Sequence, residues 1–127
     1  MREASVISIV DDDEWSRIGI TKLVRSLGFA VHDFPSADAL LNSPLLARTE
    51  CVISDIQMAA LSGIQLLDEL RTRGHNMPII FVTAFPNEGV RAQALLRGAI
   101  CVLTKPFDGE TLELCLAAAL KGDDRSA

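Results

Sequence analysis

Four acidic residues in succession, Asp11, Asp12, Asp13 and Glu14, follow the apolar run SVISIV. Like charges this close repel unless solvent, a cation or a helix N-terminus absorbs them, so the run reads either as a helix cap or as a cation site. Elsewhere Asp55 ends CVIS, Thr83 ends IIFV and Lys105 follows ICVLT. Brought to one point, these carboxylates, hydroxyl and ammonium have a shared use. Oxygen-only ligation suits Mg2+, which keeps several waters and takes one or two carboxylates together with phosphate oxygen. Lys105 supplies a point charge for an anion and Thr83 a hydroxyl donor, so the set suits a phosphoryl group. Asp55 would then be a nucleophile, its carboxylate forming an acyl phosphate. Each residue also has an ordinary reading: aspartates before a helix cap it, an Asp after a strand turns the chain, a Thr ends a strand, and a Lys before Pro is solvated. The chemical reading gains weight only if one edge of the fold collects them all.

The elements that would collect them are visible as patterns. Short apolar runs begin near Ser5, Phe29, Cys51, Ile79 and Ile100, bounded by polar or turn-forming residues and several rich in Val and Ile, and they predict five strands. Between them apolar residues recur three and four apart: Ile18, Leu23, Val24 and Leu27; Ala37, Leu40 and Leu41; Ile64, Leu66, Leu67 and Leu70; Val90, Ala94 and Leu95; Leu112, Leu114, Leu116 and Leu120. These predict five helices. Pro35 and Ser36 start the second helix, Gly28 and Gly74 follow the first and third, Pro86 opens the fourth, and Asp108 caps the fifth. Strands alternating with helices predict βαβ crossovers and a parallel sheet covered on both faces. Ligands of such sheets bind outside the carboxyl ends of the strands, where Asp11, Asp12, Asp55, Thr83 and Lys105 all fall. The second strand runs into DFPS and offers nothing comparable.

Composition narrows the function classes. The chain has 127 residues and 49% hydrophobic content, enough for one globular domain with a core. Twelve Lys and Arg against seventeen Asp and Glu give a net charge of -5 without a basic cluster, which argues against direct nucleic-acid contact. No apolar run approaches the roughly 18 residues of a membrane span, and the N-terminal stretch lacks the layout of a secretory signal, so a cytoplasmic location is expected. Cys51, Cys101 and Cys115 lie in apolar surroundings and read as reduced thiols, and His32 and His75 have no neighbour at metal-ligand spacing.

With those residues in place, the chain resembles the receiver domains of two-component response regulators, from VISIVDDDE through VISDIQM, SGIQLLDEL, PIIFVTA and GAICVLTKPF to the last helix. TKPFDGETL is most similar to receivers that precede a helix-turn-helix output domain in transcriptional regulators. The resemblance implies a doubly wound, flavodoxin-like (βα)5 α/β fold with a parallel five-stranded sheet in the order 2-1-3-4-5, spanning residues 1–121, with 122–127 as a tail or the start of a linker. It further implies Asp55 as phosphoacceptor from a phosphohistidine on a sensor histidine kinase. Mg2+ would be held by Asp12, Asp55 and the backbone carbonyl of Gln57, with Asp11 acting mostly through water and Asp13 left as a helix cap. Thr83 and Lys105 would each take a phosphoryl oxygen, and the Lys105-Pro106 bond would be cis. The implied partners are the kinase, a second receiver on phosphorylation, and a C-terminal DNA-binding output domain outside this chain.

Three positions depart from the family pattern. Ala59 stands where proline is usual, so a less rigid loop after Asp55 is expected. Val102 replaces an aromatic that turns inward when the threonine moves, and a β-branched side chain is too stiff for a two-position role. Phe85 places a bulky ring where relatives carry something smaller or polar, and is expected to occlude the site. Two other readings stay in view: a phosphate-independent interaction module, suggested by Val102 and Ala59, and a Mg2+-dependent phosphohydrolase, which would want a second Asp where this chain has Gln57.

Overall fold

The computed structural model describes residues 5–125, with side chains through Leu120. Five parallel strands, β1 (Val6–Val10), β2 (Ala30–Phe34), β3 (Cys51–Asp55), β4 (Ile79–Thr83) and β5 (Cys101–Thr104), form one sheet in the order 2-1-3-4-5. Helices α1 (Glu14–Ser26), α2 (Ala37–Leu41), α3 (Gly63–Thr72), α4 (Glu88–Leu96) and α5 (Gly109–Arg125) alternate with them. The doubly wound architecture expected from the sequence is the one observed. Of the tail expected over 122–127, α5 is described through Arg125 and the remainder lies outside the described residues.

Strand side chains alternate between two cores, as the two-residue period of a strand requires. Val10, Phe34, Val52, Ile79, Phe81 and Val102 pack with α2, α3 and α4, whereas Ile7, Ile9, Val31, Ile53, Ile80 and Leu103 pack with α1 and α5. β3 and β4 are buried along their whole length, which is why their sequences are continuous apolar runs rather than alternating ones.

Helix ends follow local chemistry. Asp13 caps α1, its carboxylate accepting the N–H of Ser16, and Ser36 and Ser62 do the same for α2 and α3. Asp108 accepts the N–H of Thr111 at 2.7 Å at the start of α5. Gly28 and Gly74 take positive φ where the chain leaves α1 and α3, a backbone that costs glycine little. The fourth helix starts later than the sequence suggests: Asn87 is its cap and Pro86 stands outside it. The second is only five residues long, followed by a 3-10 turn over Pro44–Arg48. Pro44 accounts for that break, since it offers no N–H and drives Ser43 out of helical backbone.

The inward faces also differ in detail from the apolar pattern. Ile20, Thr21 and Val24 are the buried residues of α1. In α5 the buried set is Leu112, Cys115, Leu116 and Ala119, which leaves Leu114 exposed. Among the described residues Cys51, Cys101 and Cys115 form no disulfide. Among the described residues no helix is long and apolar enough to cross a membrane.

Among the described glycines the tightest surroundings are those of Gly63, beside Asp55. A Cβ added at Gly63 would stand 2.5 Å from the Asp55 carbonyl oxygen, 2.9 Å from Phe81 Cε1 and 3.0 Å from Ile56 Cα. Neither the backbone of a buried strand nor a core ring can withdraw cheaply. Gly63→Ala is therefore expected to lower unfolding free energy by about 1–3 kcal/mol in urea titration, with an unchanged m-value; a change under about 0.5 kcal/mol would show that the contact yields.

Candidate functional site

In-register pairing is what assembles the site. Val10 lies opposite Ser54, Asp55 opposite Val82 and Thr83 opposite Thr104, so the carboxyl ends of β1, β3, β4 and β5 finish level. The next residues are tied to the same edge: Lys105 N–H donates to the Thr83 carbonyl at 2.8 Å and Ile56 N–H to the Val82 carbonyl at 3.0 Å. Asp55 and Thr83, which end β3 and β4, and Asp11 and Lys105, which follow β1 and β5, are consequently gathered at one edge. The Lys105-Pro106 peptide bond is cis, as expected.

Lys105 is the hub. Its ammonium donates to Asp55 Oδ2 at 3.0 Å, Asp11 Oδ2 at 3.1 Å and Ser16 Oγ at 2.7 Å. An ammonium has three hydrogens, and here each has an acceptor. Asp11 is fully buried, its second oxygen receiving the N–H of Asp13 at 2.9 Å. Asp12 is exposed, and its Oδ2 accepts the N–H of Ala59 at 2.9 Å. Asp55 Oδ1 accepts the N–H of Gln57 at 3.0 Å. Asp12, Ser16, Asp55, Gln57, Phe85 and Lys105 line a cleft of about 380 Å3, whereas Asp11 lies behind it.

Thr83, the buried last residue of β4, directs its hydroxyl away from the carboxylates. It donates to Gln57 Oε1 at 2.7 Å and accepts the N–H of Phe85 at 3.0 Å. Phe85 forms part of the cleft wall and is 70% exposed.

Charge and burial compete at the centre. Burial pushes the Asp55 carboxyl above its ordinary range and the nearby Asp11 adds to the rise, with Lys105 only partly offsetting them. Burial alone would pull Lys105 down, but its bond to Asp55 and the charges of Asp11 and Asp55 push it up on balance. The two shifts look contradictory for a single ion pair, in which both partners should favour their charged forms. They agree once the stoichiometry is counted: the ammonium sees two carboxylates, while Asp55 sees one cation and one anion.

A receiver domain of response regulators is the family whose pattern matches, over residues 7–117. The chain belongs to that family. The response regulator protein TodT of Pseudomonas putida is 37% identical over 118 residues, 93% of this chain and 52% of that protein. The transcriptional regulatory protein FixJ of Azorhizobium caulinodans is 32% identical over 120 residues, 94% of this chain and 57% of that protein. The crystal structure of FixJ-N superposes with a TM-score of 0.85 at 28% identity, covering 95% of this chain and 96% of that one. This receiver thus spans about half the length of the curated relatives it matches.

Of the residues predicted from sequence, Asp11, Asp55 and Lys105 are in direct contact, Asp12 and Gln57 line the same cleft, and Thr83 joins through Gln57. Sequence reasoning missed Ser16, the third acceptor of Lys105. Its position three residues after the cap Asp13 was the available clue, because a first-turn side chain on α1 points back toward the loop that carries Asp11 and Asp12. It also missed the Gln57 side chain as the partner of Thr83, and Arg17, whose guanidinium joins the Asp11 carbonyl at 2.7 Å to Asp33 of β2 at 3.1 Å. Ala59 is a gain as well as a loss: its N–H reaches Asp12, a bond that proline in this place could not donate.

An acid whose folded pKa is raised costs stability once ionised, and that cost is absent below the unfolded pKa. In chelator at pH 7, Asp55→Asn is expected to raise Tm by about 2–5 °C. The gap should narrow as pH falls through the raised value and close below the ordinary 3.8. A lower Tm for the variant at pH 7 would mean that the Lys105 pair outweighs burial.

Proposed function

We propose that this receiver is a phosphorylation-dependent switch in which Asp55 takes a phosphoryl group from a phosphohistidine of a sensor kinase. A carboxylate oxygen of Asp55 forms the new bond to phosphorus, the bond from phosphorus to the histidine nitrogen breaks, and the imidazole leaves with its electron pair. The observation that carries this reading is the Lys105 ammonium shared between Asp11 and Asp55 at the floor of an open cleft. It holds the attacking carboxylate in place and supplies positive charge where the transferring group gathers negative charge.

The donor set suits Mg2+. Among the described residues no group of three or more His, Cys, Asp and Glu side chains forms a closed metal cage. Asp12, Asp55 and Gln57 instead line a cleft with room for water, which matches a cation that keeps part of its hydration. Asp12, Asp55 and the Gln57 carbonyl would hold the ion, with Asp11 acting through water. When bound, Mg2+ supplies neutralisation of the phosphoryl oxygens.

Thr83 is the reporter in this scheme. Its hydroxyl proton is committed to Gln57, a neutral acceptor, and an acyl phosphate one residue position away on the sheet edge offers a charged one. Turning toward it changes the loop into α4 and so the surface around α4 and β5. Outside the cleft, the reading extends to an output domain in the remaining half of the protein, transcriptional control, a cytoplasmic setting and receiver pairing on phosphorylation. The names of the relatives support the transcriptional part. Turnover on an external substrate is not part of the scheme, since the place for a general acid two residues beyond Asp55 holds Gln57.

Incubation with acetyl phosphate and Mg2+ should add one phosphoryl group by intact mass, and the adduct should vanish in Asp55→Asn and with chelator. Lack of an adduct after rapid quenching would favour the phosphate-independent module.

A further inference from the structure

A second cavity, of about 350 Å3, abuts Thr83, with Val102 of β5, Val90 and Arg91 of α4, and Phe85 in its wall. Phe85 therefore borders this cavity as well as the carboxylate cleft. The residue is 70% exposed, an unfavourable place for a large apolar side chain beside a space that would shelter it. β5 walls the space with two short side chains, Val102 and Thr104, which leave it unfilled.

Two linked hydrogen bonds hold the Phe85 backbone in this place. Phe85 N–H donates to the Thr83 hydroxyl at 3.0 Å, and that hydroxyl is in turn bound to Gln57. The connection from Ala84 to Asn87 is exposed throughout, and α4 beyond it has Ala94 as its buried residue, so little else restrains the segment. Arg91 is fixed by its bond to the Val102 carbonyl at 3.0 Å and places a cation in the cavity wall, where an aromatic face is attracted.

We propose that Phe85 is the moving aromatic of this receiver: when Thr83 turns to an acyl phosphate on Asp55, the Phe85 backbone is released and its ring enters the cavity against Val102. This rests on the reading of Asp55 given above. The role that a side chain of β5 is too small to play passes to the loop after β4, so the signal reaches α4 through its own N-terminal connection.

The test uses the whole chain carrying Trp15→Phe and Phe85→Trp, so that a single indole reports. Intact mass and acrylamide quenching are read on the same sample, before and after acetyl phosphate with Mg2+. The expected result is one phosphoryl adduct together with at least about a twofold fall in the quenching constant. Adding Val102→Phe fills the cavity and should leave the adduct intact while abolishing the fall. An adduct with unchanged quenching, or an equal fall in the filled variant, overturns the proposal. Absence of any adduct overturns the Asp55 reading and this inference with it.

Discussion

One ammonium group organises this domain's active edge. Lys105 must satisfy three hydrogens, and Asp11, fully buried, must not be left as an unpaired charge. Removing one partner of a buried pair costs about 3–5 kcal/mol, so the ends of β1 and β5 have to converge. The in-register sheet provides that convergence, because level strand ends bring residues 44 and 50 positions apart in sequence to within a hydrogen bond of one another's partners. The same requirement explains why the acidic run serves two purposes. Asp13 caps α1, Asp11 turns inward to Lys105, and Asp12 faces the cleft, so adjacent aspartates escape mutual repulsion by pointing in different directions.

Stability and mobility are divided across the sheet. β3 and β4 are buried at every position, and α3 brings Leu66, Leu67 and Leu70 to zero exposure against them. α4 buries Ala94, with Arg91 and the Arg97 to Asp68 ion pair as its polar attachments. An exposed ion pair contributes about 0–1 kcal/mol, so this helix sits at the low end of local stability. Chemistry placed on the rigid strands and a response placed on a loosely held helix is a workable division: the first needs fixed geometry, the second needs an alternative arrangement of similar energy.

Much of this was legible in the sequence for a specific reason. Strand runs such as CVISD and IIFVT are continuous because both faces are buried, and the polar residue ending each run marks the strand's carboxyl end. Asp55, Thr83 and Lys105 could therefore be placed on one edge before any coordinates were considered. Details that depend on direction were not legible. Grouping Leu114 with Leu112 and Leu116 misplaced it, since leucines two apart cannot share one helix face; Leu114 is exposed and Cys115 takes the buried place. Ser16, the Gln57 amide and the Ala59 N–H carry no motif of their own; each acquires its role only when a loop brings it to a charged neighbour.

Magnitudes decide how such a switch must work. Moving the Thr83 hydroxyl from the Gln57 amide to a charged oxygen exchanges a bond worth about 0.5–1.5 kcal/mol for one worth about 1.5–3 kcal/mol. That difference, about 1–2 kcal/mol, shifts a two-state equilibrium by roughly tenfold. A change from one part in a hundred to ninety-nine requires about 5.5 kcal/mol, so the hydroxyl cannot carry the whole transition. Burying an exposed phenyl ring contributes about 1.5–3 kcal/mol, the same order as the threonine step. The cavity beside Val102 and the exposed Phe85 side chain are therefore large enough terms to matter in the balance, and they are coupled to Thr83 by the Phe85 N–H bond, which the proposed turn of the hydroxyl would release along with the Gln57 bond.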